Sequence, residues 1–323
     1  MHERKKYEQP QHGERRRGFA GREAFAEAIS HPRIGGFELQ AILGKGGMST
    51  VYLARDSHGR EVALKAVGKR PEGDGLRYLD DWFVRECVAN LILSHPNIIH
   101  AFEAGETRTH LYLSMEKLEG RTLHAHLSGH LGMGWDISRR FFIQFADALV
   151  EMHRAGVVHR DLKPENIMLA MGEGGLALKV LDFGLCHILD YGDVYPHVRG
   201  SRTGEPEVNP GTGEFGTPEF RPPEHDLLAP AWMPAFDIYS AGFVLYNMVA
   251  GVLPFPHTNR TEPEVRSSFY NAVHLEMRFP KPTELGVPVS IPTAAEDAIM
   301  ACLDKNPLGR PQASELRAIF ESC

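Results

Sequence analysis

Three polar side chains suited to work on one phosphate group lie within a single short run: Asp161, Lys163 and Asn166 in His159-Arg160-Asp161-Leu162-Lys163-Pro164-Glu165-Asn166. Asp161 offers a carboxylate to a hydroxyl proton. Lys163 offers positive charge to a phosphoryl oxygen, and Asn166 offers an amide oxygen to a metal ion. Asp182-Phe183-Gly184 follows the apolar run 178–181 and supplies a second carboxylate. Upstream, Lys65 stands in Val62-Ala63-Leu64-Lys65-Ala66-Val67, an apolar run in which an unpaired ammonium is costly to bury. Glu86 is the candidate counter-charge, although a surface lysine flanking a strand explains Lys65 taken alone. Two metal-binding groups and two lysines suit phosphoryl transfer, where catalysis is mostly positioning and charge neutralisation. Each triplet alone is an ordinary turn; the weight lies in finding all of them in this order.

Gly44-Lys45-Gly46-Gly47-Met48-Ser49-Thr50-Val51 lies between two expected strands. Glycines let backbone approach a phosphate closely, but a tight hairpin accounts for them equally well. A dinucleotide-binding turn would lead from strand into helix, and the Gly-Lys-Ser/Thr ending of a P-loop is missing.

The elements that must position these groups read as follows. Residues 37–43, 51–54, 62–67 and 111–115 have strand character, and residues 80–94 read as one helix among them. After Gly120 the pattern turns helical, with Phe141, Phe142, Phe145, Leu149 and Met152 at helical spacing within 137–154. Helices are also expected over 234–249, 294–303 and 314–320. Residues 186–235 are rich in Gly, Pro, Glu and Thr without periodicity, and a loop this long is usually functional or disordered.

Composition narrows the setting. The 323 residues are 42% hydrophobic and 24% charged, with a net charge of −7, which gives no reason to expect nucleic acid or an anionic membrane as partner. Cys87, Cys186, Cys302 and Cys323 have no CxxC spacing, and the 17 histidines contain no HExxH pair, so neither a disulfide framework nor a structural zinc site is expected. No apolar signal core and no run of about 18 apolar residues occurs, so no membrane span is expected and a soluble, cytoplasmic protein is. Residues 1–33, with Arg4, Lys5, Lys6 and Arg15-Arg16-Arg17, read as a solvated basic tail, with a short helix near 23–29 as an option.

From about Phe37 onward the chain resembles the eukaryotic-like protein kinase family, in a bacterial-type serine/threonine form. The glycine loop, Lys65 in its strand, His159–Asn166 and Asp182-Phe183-Gly184 stand in the family's order. The resemblance implies an α+β, bilobal fold: a small lobe (37–118) of five antiparallel strands and one helix, then a mainly helical lobe (119–323). It also implies transfer of the γ-phosphoryl of ATP to serine or threonine hydroxyls of protein substrates, with Mg2+ or Mn2+ as metal. By the same resemblance Gly44, Gly46 and Ser49 cover the ATP phosphates, and Lys65 holds the α- and β-phosphates while paired with Glu86. Leu43, Val51, Ala63 and Met168 sandwich adenine beside Met115, with the backbone of Glu116 and Leu118 bonding its edge, and Glu165 joins the nucleotide site. Asp161 is the catalytic base or hydroxyl-orienting group, Lys163 assists it, and Asn166 and Asp182 hold the metal. Thr217 helps shape the substrate platform, Glu224 pairs with Arg310, and Asp237 anchors the catalytic loop.

Three departures matter. Ser49 replaces the third glycine and Pro222 replaces alanine, both tolerable. Asn90, four residues after Glu86, stands where the family carries an apolar residue packing toward Phe183. Either the helix is shifted in an inactive state, or Asn90 finds a polar neighbour, or the helix register differs. The activation segment, 182–224, is long. Arg160 beside Asp161 implies that a phosphate on Ser201, Thr203 or Thr212, placed by autophosphorylation, orders it. The alternative is an unregulated insert. Cys186 reads as a small buried residue rather than a redox sensor. Since the last expected helix completes the lobe, regulation is expected through the tail, this segment or a separate protein.

Overall fold

The computed structural model describes residues 33–47, 49–70, 78–129, 132–172, 174–189, 216–226, 234–255, 263–286 and 290–323. Residues 1–32 of the expected tail, and Ser201, Thr203 and Thr212, lie outside them.

The N-terminal part is an antiparallel sheet of six strands in the order β1-β2-β3-β4-β6-β5. These are β1 (Arg33–Ile34), β2 (Phe37–Lys45), β3 (Thr50–Arg55), β4 (Glu61–Gly68), β5 (Ala101–Glu106) and β6 (His110–Glu116). Five strands were expected. The sixth is β1, whose Ile34 folds back at the left-handed Gly35 (φ 58°) to pair with Phe37. Two residues are too short for alternation to show, yet Ile34 is buried.

Strand β4 is central and buried on both faces, which explains its nearly continuous apolar run. Alternation sends Val62, Leu64 and Ala66 into one small core with Ile34, Phe37 and Leu39. Lys65 and Val67 face the other way, toward α1 (Tyr78–Ile92). The helix ends two residues earlier than expected. Pro96 disfavours helical backbone in the residue before it, and the chain leaves the helix shortly ahead of that point.

The rest of the chain is mainly helical: α2 (Leu123–Leu127), α3 (Trp135–Arg154), α4 (Pro234–Ala250), α5 (Pro263–Glu276), α6 (Thr293–Cys302) and α7 (Ala313–Ser322). Two small sheets join them. One has the order β10-β9-β7, from β7 (Gly120–Thr122), β9 (Ile167–Gly172) and β10 (Gly175–Val180); the other pairs β8 (Val157–Val158) with β11 (His187–Ile188). The apolar stripe of α3 packs on α7, with Phe142 and Phe320 rings 5.0 Å apart. Almost every side chain of α4 is buried, which makes it the central helix of this part. Its Gly242 is required by contact: a Cβ there would lie 2.8 Å from Cys302 Cβ and Leu303 Cδ2. Helices α2 and α5 escaped the sequence reading, the first for its length and the second because its buried face includes His274.

Glu224 and Arg310 meet as expected. The guanidinium donates from both terminal nitrogens to the carboxylate, at 2.5 and 2.8 Å, and also to Asp304 O and Ala235 O. Arg310 further lies over the Tyr239 ring, 4.6 Å from its centroid. Such a pair adds little relative to a well-packed apolar substitute, but removing one partner strands a buried charge. Arg310→Met is expected to cost about 3–5 kcal/mol in denaturant unfolding. A loss below about 1 kcal/mol would show that the carboxylate is satisfied without it.

Candidate active site

The loop that carries Asp161 is set by a buried carboxylate. Asp237, in the first turn of α4, is fully buried. It accepts hydrogen bonds from His159 N (2.8 Å) and Arg160 N (2.9 Å), and pairs with His153 Nε2 (3.1 Å). Arg160 has φ 68°, a left-handed conformation that costs a non-glycine residue on the order of 1–3 kcal/mol. The two backbone bonds to Asp237 hold it there. Burial would raise the Asp237 pKa, but His153, His159 and these amides outweigh it and keep the carboxyl below its ordinary range.

His159 links the loop to the segment behind it. Its Nε2 donates to Leu181 O (2.9 Å), its Nδ1 accepts from Asp161 N (3.3 Å), and its ring packs on Phe183 with centroids 4.9 Å apart. The loop is thereby tied to the segment that carries Asp182, which also has positive φ (58°).

Around Asp161 four polar groups converge. Asn166 Nδ2 donates to its Oδ2 (2.9 Å) and to its main-chain oxygen (2.8 Å). Lys163 Nζ is 2.7 Å from Oδ2, and Thr217 donates to Oδ1 from N (3.1 Å) and Oγ1 (3.2 Å). Lys163 also bonds Thr217 Oγ1 at 2.7 Å. Gly216 makes the approach of Thr217 possible: it has φ 74°, and a Cβ would stand 3.2 Å from Arg160 O.

On the facing sheet Lys65 Nζ bonds Glu86 Oε1 (2.5 Å) and Asp182 Oδ1 (2.9 Å). Burial works against the ammonium, but the two carboxylates outweigh it and hold the Lys65 pKa above its ordinary range. Asp182, its side chain 51% exposed, is likewise kept below its ordinary range: its partial desolvation works against the charge, and the Lys65 ammonium outweighs it. Beside Lys65, cross-strand pairing brings the other sequence-predicted residues together: Gly44 faces Val51, Val51 faces Lys65, and Ala63 faces Met115. Leu43 is left about half exposed, at 52%. Met168 comes from the other side, on β9, opposite Thr122. Glu116 ends β6, with Leu118 two residues on. Glu165 is near the surface, 3.0 Å from His124 Nδ1.

The glycine loop is a hairpin closed by Gly46 N donating to Ser49 O at 2.8 Å. Among the described residues, a Cβ added at Gly44 or Gly47 would meet nothing within 4 Å, and neither φ is positive. The turn itself does not need glycine there, and the space over both positions is open. For a metal, Asp182 and the carbonyl oxygen of Asn166 make two oxygen donors. No group of three or more His, Cys, Asp or Glu side chains gathers among the described residues. Two protein oxygens completed by phosphate and water is the habit of Mg2+, so the residues fit.

Asn90 resolves one sequence question. The Lys65–Glu86 bond is formed, so α1 is not shifted. Asn90, 1% exposed, donates from Nδ2 to the Glu86 carbonyl one turn back (2.9 Å). Its Oδ1 meets no donor among the described residues. Cys186 is buried and its thiol is pushed up to about 12, chiefly by burial, in keeping with an unreactive residue.

Sequence reasoning missed His274 and Lys179. His274 ties α5 to the segment after Thr217: Nδ1 meets Tyr239 OH (3.0 Å) and Nε2 meets Pro218 O (3.1 Å). No spacing in the sequence pointed to it. Glu219 is paired with Arg266 and Phe220 O accepts from Ser240 Oγ at 2.7 Å, so residues 217–221 are fixed from below.

Two outcomes are expected. Asn90→Leu removes an orphaned buried oxygen and should stabilise the protein by about 1–2 kcal/mol in denaturant unfolding; destabilisation would show that the oxygen has a partner. Burial pushes His274 down to about 3 from its ordinary 6.5. The unfolded chain then binds a proton that the folded chain refuses, so stability falls as pH drops below about 6.5, by up to ~1.4 kcal/mol per pH unit. Denaturant midpoints between pH 7 and about 4.5, above the carboxylate range, should show this slope, and His274→Gln should reduce it by one proton's share, the lowered His187 and His95 keeping the remainder.

The profile of the protein kinase domain matches residues 37–319. The serine/threonine-protein kinases pkn3 and Pkn1 of Myxococcus xanthus are each 33% identical to this chain, over 282 and 284 residues. Each match covers 86% of this chain, and 48% and 36% of those proteins. CBL-interacting protein kinase 4 of rice (Oryza sativa subsp. japonica) is 36% identical over 233 residues, 71% of this chain and 47% of that protein. The chain thus spans about half the length, or less, of the curated relatives it matches. A helical part built around Asp237, a curled sheet carrying Lys65 and a match over most of the length lead to one conclusion: the chain belongs to the protein kinase domain family and has its bilobal α+β fold.

Proposed function

We propose that this chain transfers the γ-phosphoryl group of ATP to serine or threonine hydroxyls of protein substrates. The observation that carries the proposal is the Asp161 carboxylate, held by Thr217, Lys163 and Asn166 within 3.2 Å. Asp161 accepts the substrate hydroxyl and its proton and aims the oxygen at the phosphorus. Lys163, bridging Asp161 and Thr217, offsets charge gathering on the transferred group. Lys65, kept cationic by Glu86 and Asp182, binds the α- and β-phosphates. Gly44, Gly46 and the backbone to Ser49 cover the phosphates, and Leu43, Val51, Ala63 and Met168 enclose adenine beside Met115. Glu116 and Leu118 offer backbone groups to the adenine edge, and Glu165 borders the nucleotide site. Asp182 and Asn166 would hold Mg2+ (or Mn2+), which when bound neutralises phosphate charge. Residues 217–221, fixed by His274 and Ser240, support the protein substrate.

We assign autophosphorylation of the 182–224 segment to the same chemistry. Arg85 of α1 and Arg160 bring their positive charges together beside His187. Burial, then the two arginines, push His187 down to about 4. Such a cluster favours a phosphate, with Ser201, Thr203 and Thr212 as acceptors. No described helix is long and apolar enough to cross a membrane. Unpaired thiols at Cys87, Cys186, Cys302 and Cys323 support a cytoplasmic setting.

Radiolabelled ATP with a generic protein substrate tests the activity. Asp161→Asn and Lys65→Met should each lower turnover at least about a hundredfold. Label transfer that survives both changes would sink the proposal.

A further inference from the structure

Lys179 lies on β10 between two fully buried residues, Leu178 and Val180, three positions before Asp182. Its ammonium reaches Glu116 Oε1 at 2.5 Å, with Ile98 O at 3.4 Å. Glu116 is the last residue of β6 and follows Met115. Its carboxylate also accepts from His100 N (2.9 Å), and its own N–H donates to His100 O (2.9 Å). Two hydrogen bonds therefore clamp Glu116 to His100, just ahead of β5, and its side chain is tied to β10, which ends two residues before Asp182.

The backbone of β10 is fixed independently of this side chain. Val180 N donates to Asn97 O (2.8 Å), Ile99 N to Val180 O (3.0 Å), and Leu178 N to Gln144 Oε1 (2.7 Å). Lys179 is thus a strut on a rigid base, and Glu116 is what it braces. The pair is only partly exposed, 16% for the Lys179 side chain and 25% for that of Glu116, so its charge-assisted bond is only partly screened by water.

We propose that Lys179 is a positioning residue for nucleotide binding: through Glu116 it fixes the adenine-bonding edge at a set distance from the phosphate end of the cleft. The inference rests on the assignment of Glu116 and Leu118 to adenine made above. It differs from a general structural role in what it moves. Lys179 acts on the nucleoside half of ATP, whereas Lys65 acts on the phosphate half.

The test is binding and kinetics on the full chain, with adenosine, ATP and inorganic tripolyphosphate as probes. Lys179→Met should raise the KM for ATP and the Kd for adenosine by the same factor, about tenfold. Tripolyphosphate binding and kcat at saturating ATP should change less than about twofold. Lys179→Arg, which keeps the charge, should recover most of the loss, and Lys65→Met should weaken ATP and tripolyphosphate while sparing adenosine. Unchanged adenosine affinity in Lys179→Met overturns the inference. So does an equal loss for tripolyphosphate, which would mark a merely structural residue. The two readings separate cleanly. A wild-type chain that binds adenosine, weakened by Lys179→Met, but transfers no phosphate defeats the proposed activity and upholds the strut. Normal transfer with Lys179 indifferent does the reverse.

Discussion

A single buried carboxylate holds the loop that carries Asp161 in a conformation it would not choose. Asp237 contributes no atom to the cleft, yet its bonds to His159 N and Arg160 N fix the left-handed turn that presents Asp161. Asp237 in turn depends on α4, whose burial shuts out the water that would otherwise compete for those amides. From the loop outward each contact relies on the one before it. His159 fixes Leu181, Leu181 precedes Asp182, and Asp182 pairs with Lys65 on the opposite sheet. The strained turn persists because the surrounding bonds over-determine it.

Charge is arranged in the cleft with the same economy. Lys65 faces two carboxylates and Asp161 faces four donating contacts, so both are held in place by their own neighbours. Preorganisation of this kind removes the need to reorient dipoles during the reaction. It also explains why a polar Asn90 is tolerated under Glu86. Its amide stays on the carbonyl of its own helix and leaves the Lys65–Glu86 pair undisturbed.

Much of the candidate site was legible in the sequence, because the proposed phosphoryl transfer would need particular residue types at fixed separations. Asp161, Asn166, Asp182 and Lys65 could be read from their runs, and their convergence followed from the resemblance. Strands β2 to β4 showed through alternation, and α3 through its aromatic stripe. What stayed hidden depends on contacts between distant segments. Nothing local marks His274 as a bridge between Tyr239 and Pro218, or Lys179 as the partner of Glu116. Strand β1 was hidden by its length, since two residues carry no period, and α2 by the same shortage. The early end of α1 was a boundary effect, where a helix pattern ran on toward Pro96 but the backbone did not.

The hydrogen bonds between residues 97–99 and β10 have a mechanical meaning. Among the described residues, the sheet that carries Lys65 is joined to the helical part through this short ladder, through the covalent crossing from Glu116 into β7, and through the Lys65–Asp182 and Lys179–Glu116 ion pairs. The ladder and the crossing are main-chain attachments, whereas the two ion pairs hold by side chains alone, so a change in the separation of the two parts would fall on Lys65–Asp182 and Lys179–Glu116 before it tore the ladder.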